Sequence, residues 1–205
     1  MKHTAMTILY EVHNNLYINL TNRCPCACTF CLRQTRESME ESGPLWLEHE
    51  PAAAEVKEAF RNVDVSPYEE IVFCGFGEPT EALDVLLEVA RWLKETYQKP
   101  IRINTNGLGS LVNGKDIAPL LEGLVDTVSI SLNTPNADRY HELVRSRFGD
   151  VSFDAMLSFA RECTKYVPHV VMTTVSTTLT AAEEDACRKI CRDLGVTYRI
   201  RPWED

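Results

Sequence analysis

The stretch LYINLTNRCPCACTFC, Leu16 to Cys31, decides the fold. Apolar and polar residues alternate over Leu16–Thr21, which predicts a strand, and Ile8–Val12 before it predicts an antiparallel partner in a hairpin over about residues 7–21. Four cysteines follow within a few residues of the strand's carboxyl end. α/β folds place their chemistry at that end, so a functional loop is predicted there.

Strand and helix patterns alternate through the rest of the chain, which predicts parallel strands joined by right-handed crossovers. Because the chain is shorter than the roughly 250 residues of a complete eightfold barrel, we expect an α/β fold that forms a partial (βα)6 TIM-like barrel. The predicted strands are Ile71–Cys74, Ile101–Asn104, Thr127–Leu132, Val170–Val175 and Val196–Ile200. The predicted helices are Pro51–Val63, Glu81–Tyr97, Lys115–Leu121, Asn136–Val144, Phe153–Tyr166 and Ala181–Leu194.

The non-apolar faces of four strands carry polar side chains. If the apolar faces meet the helices, as a barrel requires, these side chains point inward, and the inside is expected to be a cavity. The pairs concerned are Asn19 and Thr21, Arg102 and Asn104, Ser129 and Ser131, and Arg199 and Arg201.

Composition limits the function classes. The net charge of −9 disfavours binding to nucleic acid or to an anionic membrane. No run approaches the roughly 18 apolar residues of a spanning helix, and the start lacks a secretory pattern, which predicts a cytoplasmic protein with no membrane partner. No repeat or linker divides the chain, so a single domain over residues 1–205 is expected.

Cys24, Cys28 and Cys31 have the spacing C-x3-C-x2-C in the loop at residues 22–36. Cubane iron–sulfur clusters usually take four thiolates, so three ligands leave one iron open to another molecule. Two alternatives use Cys26 as a fourth ligand: a structural zinc site, or a non-enzymatic electron-transfer cluster. Otherwise Cys26 is a bystander thiol.

This cysteine spacing, with aromatic Phe30 before the last cysteine, resembles the signature of the radical S-adenosylmethionine (SAM) superfamily. The resemblance implies a [4Fe–4S] cluster on Cys24, Cys28 and Cys31, with SAM bound to the open iron and its adenine near Phe30. It also implies reductive cleavage of SAM to a 5'-deoxyadenosyl radical and an external electron donor of the flavodoxin or ferredoxin type. No protein acid or base is expected in that step.

A second motif, Gly75-Phe76-Gly77-Glu78-Pro79, follows the next predicted strand. It resembles the glycine-rich segment of the family, which implies that Gly75, Gly77, Glu78 and Pro79 bind the methionine ammonium of SAM. In related enzymes the polar residues after the following strands line the SAM pocket. The corresponding residues here are Asn104, Asn106, Ser131 and Asn133, although an aspartate often stands where Asn104 does.

Arg199 and Arg201, with Trp203 beside them, are predicted to bind an anionic part of the substrate. The substrate itself is unknown; a segment of another protein and a small molecule are both candidates. The strings at 19–26 and 75–80 are most similar to small radical SAM proteins linked to the TatD family. Cys74, Cys163, Cys187 and Cys191 are predicted to be packing residues.

Overall fold

The computed structural model of the protein describes residues 4–40 and 42–202. These residues form two compact units that interleave along the sequence. The first contains residues 4–24, 30–104 without residue 41, and 124–126; the second contains 25–29, 105–123 and 127–202. The single domain expected from the sequence stays a prediction. Trp203, named with the two arginines, lies outside the described residues.

The first unit begins with a hairpin in which β1 (Leu9–Val12) pairs antiparallel with β2 (Asn15–Ile18), which confirms the predicted hairpin. β2 then pairs in parallel with β3 (Ile71–Phe73), and β3 with β4 (Ile101–Thr105). The helices of this unit are α1 (Ala53–Ala59) and α2 (Leu83–Thr96). α2 buries one apolar stripe: Leu83, Leu86, Val89, Ala90 and Leu93.

The second unit repeats the parallel pattern. β5 (Thr127–Ser131) pairs with β6 (His169–Val175), and β6 with β7 (Thr197–Arg201). Its helices are α3 (Gly109–Asn113), α4 (Ala137–Val144), α5 (Ser152–Cys163) and α6 (Ala181–Leu194). In the described ranges, no helix has the length and apolar character needed to cross a membrane.

The predicted elements differ from the structure mainly at their ends. The first predicted strand stops at Ile18, because Asn19 and Thr21 turn to side-chain partners described below. The helix predicted over Lys115–Leu121 is only a 3-10 turn, Ala118–Leu121, and α3 was not predicted. By contrast, α6 has its predicted bounds, because Thr180 and Glu183 form a capping box and Gly195 ends the helix with φ of 75°.

The expected polar cavity is wrong for the β1–β2 part of the first unit. The face of this hairpin that carries Tyr10 and Tyr17 is covered by a hydrophobic cluster built on Tyr10, Val12, Leu45 and Phe76, with Tyr17, Met39 and Trp46 packed against it. The rings of Trp46 and Phe76 meet edge to face, with centroids 5.3 Å apart. The alternation of residues along β2 identified the two faces, but the apolar segment that covers one of them comes from a distant loop.

Candidate functional site

The residues before Cys24 are held by side-chain hydrogen bonds to one loop of the first unit. Asn19 Nδ2 donates to the Leu45 carbonyl at 2.8 Å. Asn22 pairs with Leu47 in both directions, donating through Nδ2 at 2.8 Å and accepting the Leu47 N–H at 3.0 Å. An amide side chain that pairs twice with one backbone residue fixes its own segment as a strand neighbour would. The approach to Cys24 is therefore rigidly positioned.

Arg23, the residue immediately before Cys24, connects its own segment to the two segments that carry Glu50 and Glu81. Its guanidinium donates twice to the Glu50 carboxylate, at 2.7 and 2.9 Å, and once to the Glu81 carbonyl at 2.8 Å. The Glu81 carboxylate, only 5% exposed, lies 3.5 Å from the same guanidinium. Thr21 Oγ1 also donates to Glu50. We call Thr21, Arg23, Glu50 and Glu81 the arginine clamp.

Burial and hydrogen bonding act in opposite directions on the pKa of the Glu50 carboxylate. Burial raises the pKa of Glu50, but hydrogen bonds from Arg23 and Thr21 outweigh it and lower the pKa below its ordinary value. The clamp is therefore held by charge at neutral pH.

The two glycines of the second motif are required by close packing inside the first unit. A Cβ on Gly77 would lie 2.7 Å from the Arg23 carbonyl and closer still to the Thr21 carbonyl. A Cβ on Gly75 would lie 2.7 Å from Asn19 Cγ, and the Asn19 side chain is fully buried. Asn19 Oδ1, beside Gly75, is buried and has no hydrogen-bond partner. These glycines thus let the second motif lie directly against the approach to Cys24.

Glu78 is buried, with 4% of the residue exposed. Its Oε1 accepts hydrogen bonds from the Thr80 N–H at 3.2 Å and the Thr80 hydroxyl at 2.8 Å, so it caps the 3-10 turn Pro79–Ala82. Its own N–H donates to the Arg23 carbonyl at 2.8 Å. The predicted SAM-binding acid is therefore a buried carboxylate, and its backbone N–H contacts the residue before Cys24.

The loop Pro25–Thr29, in the second unit, is held by main-chain hydrogen bonds. The Ala27 N–H donates to the carbonyls of Val144 at 3.1 Å and Arg145 at 3.3 Å. The Thr29 N–H donates to the Leu143 carbonyl at 2.9 Å. The end of α4 thus supplies the acceptors for this loop.

The four clustered cysteines differ in exposure. Cys26 is 4% exposed, and its thiol accepts a hydrogen bond from Asn106 Nδ2 at 3.6 Å. Its backbone forms an isolated antiparallel β-bridge with Ser146. Cys24, Cys28 and Cys31 are half-buried, and none of the eight cysteines is in a disulfide bond. Exposure therefore separates Cys26 from the three thiols of the C-x3-C-x2-C pattern.

The chemistry of these three thiols fits an iron–sulfur cluster with one open iron. Over residues 4–40 and 42–202, however, no three His, Cys, Asp or Glu side chains are gathered closely enough to hold a metal ion. Phe30, next to Cys31, is 41% exposed, which is high for a large apolar side chain.

Two predicted pocket residues lie at the carboxyl end of β4: Asn104 is in the strand and Asn106 directly follows it. Asn104 Oδ1 accepts a hydrogen bond at 3.0 Å from Arg102, whose other nitrogens bind Glu70 at 2.7 and 2.9 Å. Arg102 is thus neutralised within the first unit. Asn106, in the second unit, accepts the Leu108 N–H at 2.9 Å and donates to Cys26, so it also forms a turn.

The other predicted residues lie on one face of the second unit's strands. Ladder partners place Ser131 beside Thr173, and Thr173 beside Arg199. Asn133, just after β5, has a left-handed backbone with φ of 66°, and its N–H donates to the Thr173 carbonyl at 3.2 Å. Arg199 is exposed, whereas Arg201 is half-buried. The two arginines are therefore not equivalent.

Three cysteines outside the cluster loop are buried packing residues, as predicted. Burial raises the pKa of Cys163 and of Cys187 to about 12, and that of Cys191 to about 11. Such thiols are protonated at neutral pH and are poor metal ligands. Cys74 is half-buried, and its carbonyl accepts a hydrogen bond from Tyr10 at 3.1 Å.

Comparison with known proteins identifies the family. The profile of the radical SAM superfamily matches residues 18–190, which include both motifs. The chain belongs to this superfamily, as the sequence resemblance implied.

Two curated proteins are similar to about two thirds of this chain. GTP 3',8-cyclase of Corynebacterium glutamicum is 35% identical over 142 residues, 66% of this chain and 35% of that protein. Molybdenum cofactor biosynthesis protein 1 of Drosophila melanogaster is 28% identical over 138 residues, 66% of this chain and 22% of that protein. The chain thus spans about a third or less of the length of these relatives.

Solved structures confirm the fold. Streptococcus suis SuiB bound to the precursor peptide SuiA has a TM-score of 0.69 at 17% identity, covering 93% of this chain and 39% of SuiB. SuiB bound to S-adenosylmethionine has a TM-score of 0.68 at 16% identity, covering 94% of this chain and 41% of SuiB. The predicted α/β fold, a partial TIM-like barrel of mostly parallel strands, is confirmed by this likeness.

Sequence reasoning missed the arginine clamp. Glu50 and Glu81 have no motif around them, and Arg23 stands out only as part of the string at 19–26 that resembles other radical SAM proteins. The only local signal is the run of hydrogen-bonding residues Asn19, Thr21, Asn22 and Arg23 before a cysteine, which is unusual for the end of a strand.

Proposed function

We propose that this chain is an enzyme that binds a [4Fe–4S] cluster through Cys24, Cys28 and Cys31 and reductively cleaves SAM. The observation that carries the proposal is the family match over residues 18–190. It is supported by the exposure of these three thiols and the burial of Cys26. When bound, the cluster and SAM supply an electron and a 5'-deoxyadenosyl radical, which acts on a substrate still to be identified.

The chain's own residues would bind and orient SAM. Gly75, Gly77, Glu78 and Pro79 are proposed to hold its methionine ammonium, because a buried carboxylate beside backbone carbonyls suits a cation. Glu78 also contacts Arg23, which links this segment to the cysteine approach. Phe30 offers an exposed ring for the adenine. The proposed pocket is completed by Asn104, Asn106, Ser131 and Asn133.

The alternative of a non-enzymatic electron carrier with Cys26 as fourth ligand has less support. Cys26 is buried against Asn106, and GTP 3',8-cyclase, the relative named above, is an enzyme. A structural zinc site on all four cysteines would need the same buried thiol.

Several finer features belong to the proposal. We propose a flavodoxin-type or ferredoxin-type electron donor, a cytoplasmic location, a single domain, and a place among the TatD-linked radical SAM proteins. The strings at 19–26 and 75–80 support the last of these. A segment of another protein is a candidate substrate, supported by the likeness to SuiB, which has been solved with a precursor peptide.

Anaerobic reconstitution tests the proposal. The parent protein should bind about four irons per chain and, once reduced with dithionite, should convert SAM to 5'-deoxyadenosine. Cys24→Ala should lose both properties, whereas Cys26→Ala, the matched control, should keep them. Equal loss of iron in the two variants would overturn the three-ligand assignment. A loaded parent that never cleaves SAM would overturn the enzymatic proposal.

The same preparation tests Glu78. Glu78→Gln keeps an oxygen for Thr80 but removes the charge, so SAM affinity should fall by roughly tenfold or more while iron content is unchanged. Unchanged SAM affinity in this variant would remove Glu78 from the site.

A further inference from the structure

We propose that Arg201 is an oxyanion-binding residue that recognises a carboxylate or phosphate of the substrate. The proposal rests on the proposed function, and it assigns the substrate a chemical class that the family does not fix. It is carried by the position of Arg201 on β7 and by the state of its guanidinium.

Arg201 lies at the carboxyl end of the three parallel strands of the second unit. Its ladder partner is Val175, the last residue of β6, one step beyond the row formed by Ser131, Thr173 and Arg199. Ladder partners and residues two apart share one face of a sheet, so all five side chains lie on the same side. Ligands bind outside the carboxyl ends of strands in α/β folds.

The Nε of Arg201 is buried and donates no hydrogen bond. No ion pair to Arg201 is found in the part of the chain that the structure describes. Its neighbours on the face are the uncharged Thr173 and Val175 and the cationic Arg199, and none of these three side chains is a carboxylate. A guanidinium is always protonated, and leaving one of its donors buried without an acceptor costs free energy. Such a donor is expected where a ligand supplies the acceptor.

A second strand arginine gives the comparison. Arg102, on β4 in the first unit, is 8% exposed and has three partner contacts, from Glu70 and Asn104. That arginine is a structural ion pair whose donors are already used. Arg201 has the same residue type and a strand position, but its Nε has no acceptor. The difference points to a ligand at Arg201.

The ligand class follows from guanidinium geometry. Nε and the neighbouring Nη form a planar fork that matches two oxygens of a carboxylate or a phosphate. The chain carries a net charge of −9, which repels anions in general. Specific binding of a small oxyanion would therefore report a local site.

The experiment uses the cluster-loaded protein under anaerobic conditions, with sodium phosphate and sodium glutarate as probes. Thermal unfolding is followed at constant ionic strength, with sodium chloride as reference. At saturating probe, the parent should gain roughly 3–5 °C in Tm over chloride. Whichever probe gives the larger gain identifies phosphate or carboxylate as the preferred group.

Arg201→Lys is the decisive variant, because it keeps the positive charge and removes the Nε donor. Its affinity for the probe should fall by roughly tenfold or more. Arg201→Gln should lose the response altogether. Arg192→Lys, on the exposed surface of α6, is the matched control and should respond like the parent.

SAM affinity, iron content and reductive SAM cleavage are measured in parallel, and all three should be unchanged in Arg201→Lys. A parent that shows no gain over chloride, or an Arg201→Lys variant that keeps the full gain, overturns the proposal. A parallel fall in SAM affinity also overturns it, because Arg201 would then serve the SAM carboxylate. Failure of the proposed function is distinct, since the parent itself would not load iron or cleave SAM.

Discussion

Two consecutive segments that contain the first three clustered cysteines are held in place by different means. Asn19–Cys24, in the first unit, is fixed largely by side chains: the amides of Asn19 and Asn22, and the arginine clamp on Glu50. Two main-chain hydrogen bonds, from Asn19 to Ile8 and from Glu78 to Arg23, add to them. Pro25–Thr29, in the second unit, is fixed by main-chain hydrogen bonds to the end of α4. The first segment should therefore respond to side-chain chemistry and pH, and the second to changes in the backbone.

Gly77→Ala should have the largest effect on the first segment. The added Cβ meets the carbonyls of Thr21 and Arg23, which are backbone atoms and cannot rotate away. We expect a loss of about 3 kcal/mol or more in the free energy of unfolding, measured by urea denaturation. Gly114→Ala is the control, because nothing lies within 4 Å of its added Cβ and only the backbone at φ of 62° is strained.

Gly114→Ala should cost about 1–2 kcal/mol. If Gly77→Ala costs no more than this control, the second motif does not pack against the approach to Cys24 as described.

Ala27→Pro tests the second segment. Proline removes the N–H that Ala27 donates to Val144 and Arg145, so we expect a loss of about 1–2 kcal/mol. Iron content after reconstitution should fall with it. Ala27→Ser keeps the N–H at an exposed position and should change stability by less than about 0.5 kcal/mol. A serine variant as unstable as the proline variant would show that side chains hold this segment too.

Glu50→Gln should have the smallest effect and a distinctive pH dependence. The pKa of Glu50 is lowered in the folded chain from an ordinary value of 4.5, so its stabilisation is present above that value and is lost as pH falls through the lower folded pKa. The Glu50 side chain is 38% exposed, which limits the expected loss to about 0.5–1 kcal/mol at pH 7.

Urea denaturation of parent and variant at several pH values measures this difference, which should begin to fall once the pH drops below about 4.5 and should vanish only below the lowered folded pKa. Glu88→Gln is the control. It removes the charge that pairs with Lys57, and because the Glu88 side chain is more exposed than that of Glu50, this substitution should cost less at pH 7. A difference for Glu50→Gln that is constant from pH 7 to pH 4 would contradict a charge-based clamp.

Much of the fold could be predicted because its signals are local. The alternation over β2, the stripe on α2 and the capping box of α6 each depend on residues within one or two turns of chain. The cysteine spacing and the glycine motif are equally local, and the family match confirms the class they indicated. The ends of elements were less predictable, because the partners that end them lie far away in sequence, as for Asn19 and Leu45.

The sequence by itself determined the fold class, the family and the candidate ligands Cys24, Cys28 and Cys31, because spacing and periodicity are properties of neighbouring residues. Tertiary structure decided what each polar residue does. Burial separated Cys26 from the other cluster-loop thiols. Arg23 and Arg102 each bind a carboxylate that lies tens of residues away in the sequence, whereas the Nε of Arg201 has no hydrogen-bond partner. Only folding determines which of these charged groups come into contact.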